Sequence, residues 1–389
     1  MANVNQLSIN DVYLLLNDLH EQTTGKKSIA PTNTAEFVSM ANATLSAGVD
    51  SVYNALMQTI GMTIFSSRPY NQKFRGLKAE NVRWGGIIRK IVLGDKPLNA
   101  ESAYHPIDGQ SIDQYVINKS DVLELRYYGS NVYQDSYTVF KEQLINAMRG
   151  PEELASFVAL QTEHMNNKWV QYQEELSRGM LANFIGAKVS LDNGVIHLLS
   201  EYNALTGLSL TATDIYKPDY QAPFFRFVRS RVNTISRRMT ERSELYQVKI
   251  TGHDINRHTP LENQKMYLTA DALDIIDAMV LTQTYHDDPL RYADVEGVSH
   301  WQAIENPNQI SVSPVYIGSD GTLVNGDPIV VNNIFGIIFD EDAMAYNLKD
   351  VEVSNTPYNA RGRYFNTWMT SNVQYLEDLT EKGVILLLD

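Results

Sequence analysis

The sequence predicts an α+β protein, and three observations carry that prediction. One central stretch keeps a helical apolar stripe for about 35 residues. Several short apolar segments bounded by turn residues read as strands, and one of them ends the chain. The composition is that of an ordinary globular protein, with 43% hydrophobic and 20% charged residues, so the chain can bury a sizeable core. At about 150 residues per domain, 389 residues correspond to two or three structural units.

The N-terminal stretch reads as helices. Ser8 is placed to cap a helix with Asp11 in its first turn, and Val12, Leu15, Leu16 and Leu19 then share one face before Gly25–Lys27 ends it. A second helix is expected over Thr34–Ser46, with Phe37, Met40 and Leu45 as its stripe, and a third over Val52–Ile60. Helices this short are marginal alone, so they dock on the body or on a neighbour. Arg83–Val92 reads as a strand. Val122–Tyr128 is a clearer one, with Leu123, Leu125 and Tyr127 on one side and Glu124 and Arg126 on the other. The segment between them, Leu93–Asp121, is rich in Asn, Asp, Ser, Gly and Pro and has no period. A loop that long is uncommon inside a domain and is usually functional; an arm reaching over a neighbouring molecule accounts for it.

Gly150-Pro151-Glu152-Glu153 is a helix start, with Pro in the first turn and acids complementing the dipole. The stripe from Leu154 through Trp169, Tyr172 and Met180 to Phe184 predicts a spine-like helix ending at Gly186. Phe224–Tyr246 is expected to be an arginine-rich helix carrying Arg226, Arg229, Arg231, Arg237, Arg238 and Arg242. Ala272–Val280 is apolar with Asp274 and Asp277 outside. Val312–Val331 reads as strands with turns at Asp320-Gly321 and Asn325-Gly326. Asn333–Phe339 is a buried strand, Asp340-Glu341-Asp342 a turn or short helix, and Val351–Val353, Tyr364–Met369 and Gly383–Leu388 are strands, the last necessarily buried.

Function classes fall away quickly. Cysteine is absent, which removes disulfides, thiolate metal sites and cysteine nucleophiles. The apolar runs at Ile334–Phe339 and Val384–Leu388 fall far short of the ~20 residues of a membrane span, and Met1–Asn10 shows no secretory signal. No phosphate-binding glycine loop, nucleophile elbow or HExxH motif is present. His253 and His258 read as loop residues rather than metal ligands. The acid clusters His286-Asp287-Asp288 and Asp340-Glu341-Asp342 lack the spaced ligands and Gly of a calcium loop. The arginine helix can touch phosphate, but pairing with acids of its own domain or a neighbour is the favoured reading. No catalytic, cofactor or metal residue is therefore assigned.

The net charge of −14 disfavours a general duplex-binding role. Its distribution is uneven: Arg68–Lys96 holds eight basic residues against Glu80 and Asp95, whereas Asp271–Asp342 holds thirteen acids and only Arg291. With 22 Tyr, and Trp at Trp84, Trp169, Trp301 and Trp368, the chain is rich in the residue types that concentrate in interfaces.

Three pieces carry a family resemblance: the strand–long loop–strand of Arg83–Tyr128, the spine helix Pro151–Ile185, and the ending Tyr358-Asn359-Ala360-Arg361-Gly362-Arg363-Tyr364-Phe365-Asn366-Thr367-Trp368 followed by Val384–Leu388. In this order they resemble the major capsid proteins of tailed bacteriophages, the Hong Kong 97-like fold, especially those of small short-tailed phages. The resemblance implies an N-terminal helical arm over residues 1–62 and an extended loop over 63–135. It implies a peripheral domain from 136–186 and 341–389, with spine helix and closing sheet, and an axial domain over 187–340. It further implies pentamers and hexamers in an icosahedral shell around double-stranded DNA, with portal and separate scaffolding proteins as partners and no membrane. Such a protein belongs to the virion and is assembled in the bacterial host cytoplasm.

Subunit contacts are then expected from Lys73, Arg75, Lys78, Arg83, Trp84, Arg89, Lys90 and Lys96 of the extended loop. Glu152, Glu153, Trp169 and Tyr172 of the spine and Arg226, Arg229, Arg231, Arg237 and Arg238 of the axial domain are expected to join them. The loop bases are expected to meet a neighbour's acids, in Asp271–Asp342 or at Glu152, Glu153 and Glu174, so charge reversal at Arg75 and Lys78 should stop assembly without unfolding the subunit. Two rivals stand beside this reading. One is a cellular nanocompartment shell of the same fold, told apart by protein cargo in place of a genome. The other is a metal-dependent hydrolase using the His286–Asp288 or Asp340–Asp342 acids, told apart by activity in the purified subunit.

Overall fold

The computed structural model describes residues 9–56, 74, 77, 87–95, 107–109, 111–112, 115, 117, 119, 121–128, 131–283, 294–348 and 352–389. They divide into two compact units: Met1–Gln72, Ser130–Glu175 and Asn347–Gln374 form the first, and Lys73–Gly129, Leu176–Tyr346 and Tyr375–Asp389 the second.

In the first unit, helix Ile9–Thr24 buries Val12, Leu16 and Leu19 as their spacing predicts, and Gly25 follows with φ 69°. Ser8, the expected cap, lies outside the described residues. Helix Thr34–Ser46 starts at Asn33, whose side chain accepts the Glu36 N–H at 2.9 Å. Its buried face is Phe37, Ala41 and Thr44; Met40 and Leu45 lie on the flank. Residues 49–56 are helical and bury Val52, Tyr53 and Leu56, while the expected continuation to Ile60 lies outside the described residues.

These helices pack on an antiparallel sheet built around Tyr364–Glu377. Asn131–Phe140 pairs with it from Phe140 opposite Tyr364 to Asn131 opposite Val373, and Glu352–Asn355 pairs along its other edge. The sequence suggested a strand only as far as Met369. The inward positions Phe365, Thr367, Met369, Ser371 and Val373 are all buried, but two of them are polar, and this hides the alternation. Burial of Thr367 is compensated: its hydroxyl lies 2.6 Å from Tyr53 Oη and donates to Asn355 Oδ1 at 2.7 Å. Strand Asn131–Phe140 escaped detection because Gln134-Asp135-Ser136 breaks its apolar run.

The second unit is organised by a five-stranded mixed sheet in the order Val195–His197, Gly383–Leu387, Ile334–Asp340, Gln264–Thr269, Asp294–Val298. Both central strands, Gly383–Leu387 and Ile334–Asp340, are buried along their whole length. Helices Leu198–Thr206, Pro218–Thr240 and Ala270–Gln283 complete the core through Leu198, Phe224, Val228, Ile235 and Ala272. The closing strand was expected with the sheet of the spine helix. Its pairing with Ile334–Asp340 and Val195–His197 instead makes it a central strand of this second sheet, the environment that its run of Val, Ile and Leu requires.

Helix Pro151–Ser190 contributes its first part to one unit and its last part to the other. It runs through Gly186, the expected terminator. A Cβ there would come within 2.5 Å of a Val312 methyl, so this glycine makes room for a neighbour. Helix Pro218–Thr240 begins six residues before Phe224, with Pro218 in its first turn and Pro223 tolerated near the start. It stops before Tyr246 because Glu241 is extended and Tyr246 has φ 70°. The two strands expected on either side of the long loop pair antiparallel as a hairpin, Ile87 opposite Tyr128 and Leu93 opposite Val122; the first, expected over Arg83–Val92, runs over Ile87–Leu93, and Arg83–Gly86 lie outside the described residues. Most of its long connection lies outside the described residues, as do Gly85 and Gly86.

Candidate assembly surfaces

The two-residue period of the hairpin sorts its side chains into two faces. The inner face carries Lys90, Val92, Leu123, Leu125 and Tyr127. Leu123 and Leu125 are buried against Ile250 and Ile255, with Val92, Tyr127 and Ile317 at the margin. The outer face carries Arg89, Ile91, Leu93, Val122, Glu124 and Arg126. Ile91 is 59% exposed, Leu93 64% and Val122 48%, so three large apolar side chains sit together in solvent. Beside them Glu124 is gripped by Arg126 at 2.8 Å and Arg89 at 2.6 Å. Hydrogen bonds from Arg126 and then Arg89 hold its carboxyl down at about 2. Ile107, Ile112, Tyr115 and Ile117 of the connection are exposed as well. In the sequence the loop's bases stand out, whereas these apolar residues follow no period that marks them.

Lys90 behaves differently from its expected role. Its ammonium lies 2.6 Å from Glu381 Oε1 and 2.8 Å from Asp378 Oδ2, and Arg257 approaches Glu381 at 3.0 Å. Lys90 therefore meets acids of its own chain, Asp378 and Glu381, and donates to the Asp342 carbonyl at 3.4 Å, because its position on the strand turns it inward. Burial pulls the ammonium down, but Asp378 and Glu381 outweigh it and leave Lys90 above its ordinary value. Arg89 is likewise paired within the hairpin. Lys73, Arg75, Lys78, Arg83, Trp84 and Lys96 lie outside the described residues.

At the start of the spine helix, Glu152 and Glu153 are exposed. Trp169 and Tyr172 are not surface anchors. Trp169 is buried in the core of the first unit, edge-on to Tyr172 at 6.0 Å, and Tyr172 in turn meets Tyr133 at 4.4 Å. Among the axial arginines, Arg231 is held bidentately by Glu201 at 2.7 and 2.6 Å, a pairing inside its own unit. Arg226, Arg237 and Arg238 are exposed, and Arg229 is half-buried. Arg237 and Arg238 lie in the last turn of their helix, where cations suit the dipole.

The sequence missed a group of buried ionisable residues. Asp378, Leu379, Thr380, Glu381 and Lys382, a segment to which the sequence assigns no element, are all buried. Nearby, burial lowers the Lys188 ammonium to about 7; it donates to Tyr246 O at 2.8 Å and Asn193 Oδ1 at 3.0 Å. Burial also pushes Glu377, which accepts from Asn183, up to about 8. No hydrophobic period marks such positions; only the strands that enclose them do.

Among the described residues, Asp340, Glu341 and Asp342 form no metal centre. Asp340 Oδ1 accepts the Asp342 N–H at 2.9 Å, so this carboxylate shapes its own turn. Among the described residues no three His, Asp or Glu side chains are gathered for a metal ion; His286–Asp288 lies outside them. Among the described residues, too, no helix is long and apolar enough to cross a membrane.

The fold is that of phage capsid structures. The chain superposes on one from the capsid structure of Staphylococcus phage Andhra with a TM-score of 0.54 at 10% identity, covering 83% of this chain and 86% of that one. A chain from the structure of the head fibre and inner core protein of native bacteriophage P68 gives 0.52 at 10% identity, covering 82% and 85%. No curated protein sequence matches the chain. The family profile of the Phi29-like phage major capsid protein matches residues 13–381, and the chain belongs to that family. It is a structural subunit of a phage capsid, and the nanocompartment rival is set aside.

Proposed function

We propose that the chain builds its shell in the Hong Kong 97-like manner. Residues 1–62 are the arm, 63–135 the extended loop, 136–186 and 341–389 the peripheral domain, and 187–340 the axial domain, whose sheet the closing strand Gly383–Leu387 enters. Pentamers and hexamers close around double-stranded DNA in the bacterial host cytoplasm, with portal and scaffolding proteins as partners and no catalytic step. Each subunit then makes head-to-tail contacts that close into rings. The exposed arginines Arg226, Arg237 and Arg238, the half-buried Arg229 and the acids Glu152 and Glu153 serve those contacts, as do Lys73, Arg75, Lys78, Arg83, Trp84 and Lys96 of the loop.

The observation that carries this reading is the outer face of the hairpin. Ile91, Leu93 and Val122 are solvent-exposed together on a two-stranded ribbon whose other face is already seated, and their burial by a second copy is favourable. The test is assembly of the full chain with its scaffold, followed by electron microscopy. The Ile91→Asp/Leu93→Asp double variant, and separately Arg75→Glu/Lys78→Glu, should give folded subunits that form no shells. Normal particles from the apolar double variant would remove the hairpin from the contacts.

A further inference from the structure

The hairpin is joined to its own subunit by two kinds of contact of very different character. One is a small apolar pad, Leu123 and Leu125 on Ile250 and Ile255. The other is polar: the Asp95 N–H donates to Asp254 O at 2.6 Å, Arg242 pairs with Asp95, His253 meets Asp121 at 2.8 Å, and Lys90 enters between Asp378 and Glu381. Arg242 acts from a solvent-exposed position, where an ion pair contributes little, and His253 is half-buried against a partner, Asp121, that is itself open to water. Lys90 is the exception. Its side chain is 19% exposed and its partners Asp378 and Glu381 are 1% and 6% exposed, so both carboxylates depend on cations from the protein itself.

We propose that Lys90 is the release point of the extended hairpin: seated between Asp378 and Glu381 it locks the hairpin to its own subunit, and its withdrawal frees the hairpin for repositioning. This rests on the reading of the hairpin as a contact element and adds what controls its position. The geometry suits a reversible lock. Lys90 contributes one charge from the middle of strand Ile87–Leu93, while its neighbours Arg89 and Ile91 face the opposite way. Its ammonium approaches Asp378 at Oδ2, 2.8 Å away, while Oδ1 accepts the Thr380 N–H at 2.9 Å and the Thr380 hydroxyl at 2.6 Å, so Lys90 enters and leaves without displacing either. The acids are not abandoned when Lys90 leaves. Arg257 remains on Glu381, whose carboxyl burial holds above its ordinary value. Besides Asp378 and Glu381 themselves, Tyr127, Arg257, Glu377 and Lys188 are titratable groups that act on this seat.

The lock is read by hydrogen exchange on the unassembled full-length chain. Lys90→Met keeps the apolar stem and removes the charge. It should speed amide exchange at least about tenfold at Asp95 and along Ile87–Leu93 and Val122–Tyr128, while Gly383–Leu387 and Ile334–Asp340 keep their wild-type rates. Arg89→Met, on the outer face of the same strand, should leave hairpin exchange unchanged. The double variant Lys90→Met/Glu381→Gln removes one of the two stranded acids and serves if the single variant does not fold; the same local acceleration is expected. Hairpin exchange at the wild-type rate would overturn the lock, and so would acceleration spread evenly over the central sheet. Because the measurement is made on unassembled chains, it stands or falls separately from the shell-assembly test of the hairpin's outer face.

Discussion

At the scale of single residues, two glycines show how much of this fold depends on close approach. A Cβ on Gly336 would lie 2.4 Å from Leu268 Cδ2 and 2.8 Å from the Tyr267 carbonyl oxygen of the neighbouring strand. On Gly186 it would meet only side chains, Val312 Cγ1 at 2.5 Å first. A side chain can rotate away, whereas a ladder carbonyl in a buried sheet cannot. Gly336→Ala should therefore destabilise more than Gly186→Ala, both within or above the roughly 1–3 kcal/mol typical of overpacking. Denaturant midpoints of the two variants check the order, and equal midpoints would contradict it. Neither role is visible from the sequence, where Gly186 reads as a helix stop and Gly336 as one more small residue in a strand.

At the scale of elements, the regular apolar patterns were legible and the mixed ones were not. Helix Thr34–Ser46 and strand Val122–Tyr128 have the bounds that their periodicity predicts. Strand Tyr364–Glu377 is more than twice as long as its apolar part, because the inward positions Thr367 and Ser371 are polar, Thr367 being accommodated by hydrogen bonds to Tyr53 and Asn355. Thr367→Val should thus strip Tyr53 Oη and Asn355 of a buried partner and lower stability by about 1–3 kcal/mol despite its added methyl group. A thermal unfolding midpoint equal to wild type would show those groups to be satisfied otherwise. The basic residues of the hairpin were noticed in the sequence, but their faces were not separated. Position on the pleat sends Lys90 to the Asp378–Glu381 seat and Arg89 to Glu124, a distinction that residue type does not carry.

At the scale of the whole molecule, the buried ionisable groups of the second unit predict how stability follows pH. Glu377 in the folded chain holds its proton up to about 8, against 4.5 when unfolded, so stability falls as pH rises through that window. Lys188 is the opposite case. Folded, it loses its proton at about 7, against 10.5 unfolded, and the unfolded chain binds the extra proton in between, so stability recovers as pH rises through that window. Lys382, lowered to about 8, acts in the same sense. The unassembled subunit should therefore be least resistant to urea near about pH 7.5, with higher midpoints at about pH 5.5 and 9.5. A midpoint that peaks near neutrality would contradict this pairing of opposed shifts.

By itself the sequence determined the class of the protein: a cysteine-free α+β chain with a long helix, a hairpin too long in its connection to serve one domain, and a buried closing strand, in an order that resembles phage capsid subunits. Periodicity reports which residues leave water, and those features are periodic. Only the tertiary structure decided which strands the closing strand joins, that Trp169 and Tyr172 belong to a core, and that Lys90 is bound to Asp378 and Glu381 nearly three hundred residues away. Those outcomes depend on pairings between segments distant in the chain, and a local pattern records burial without recording what buries it.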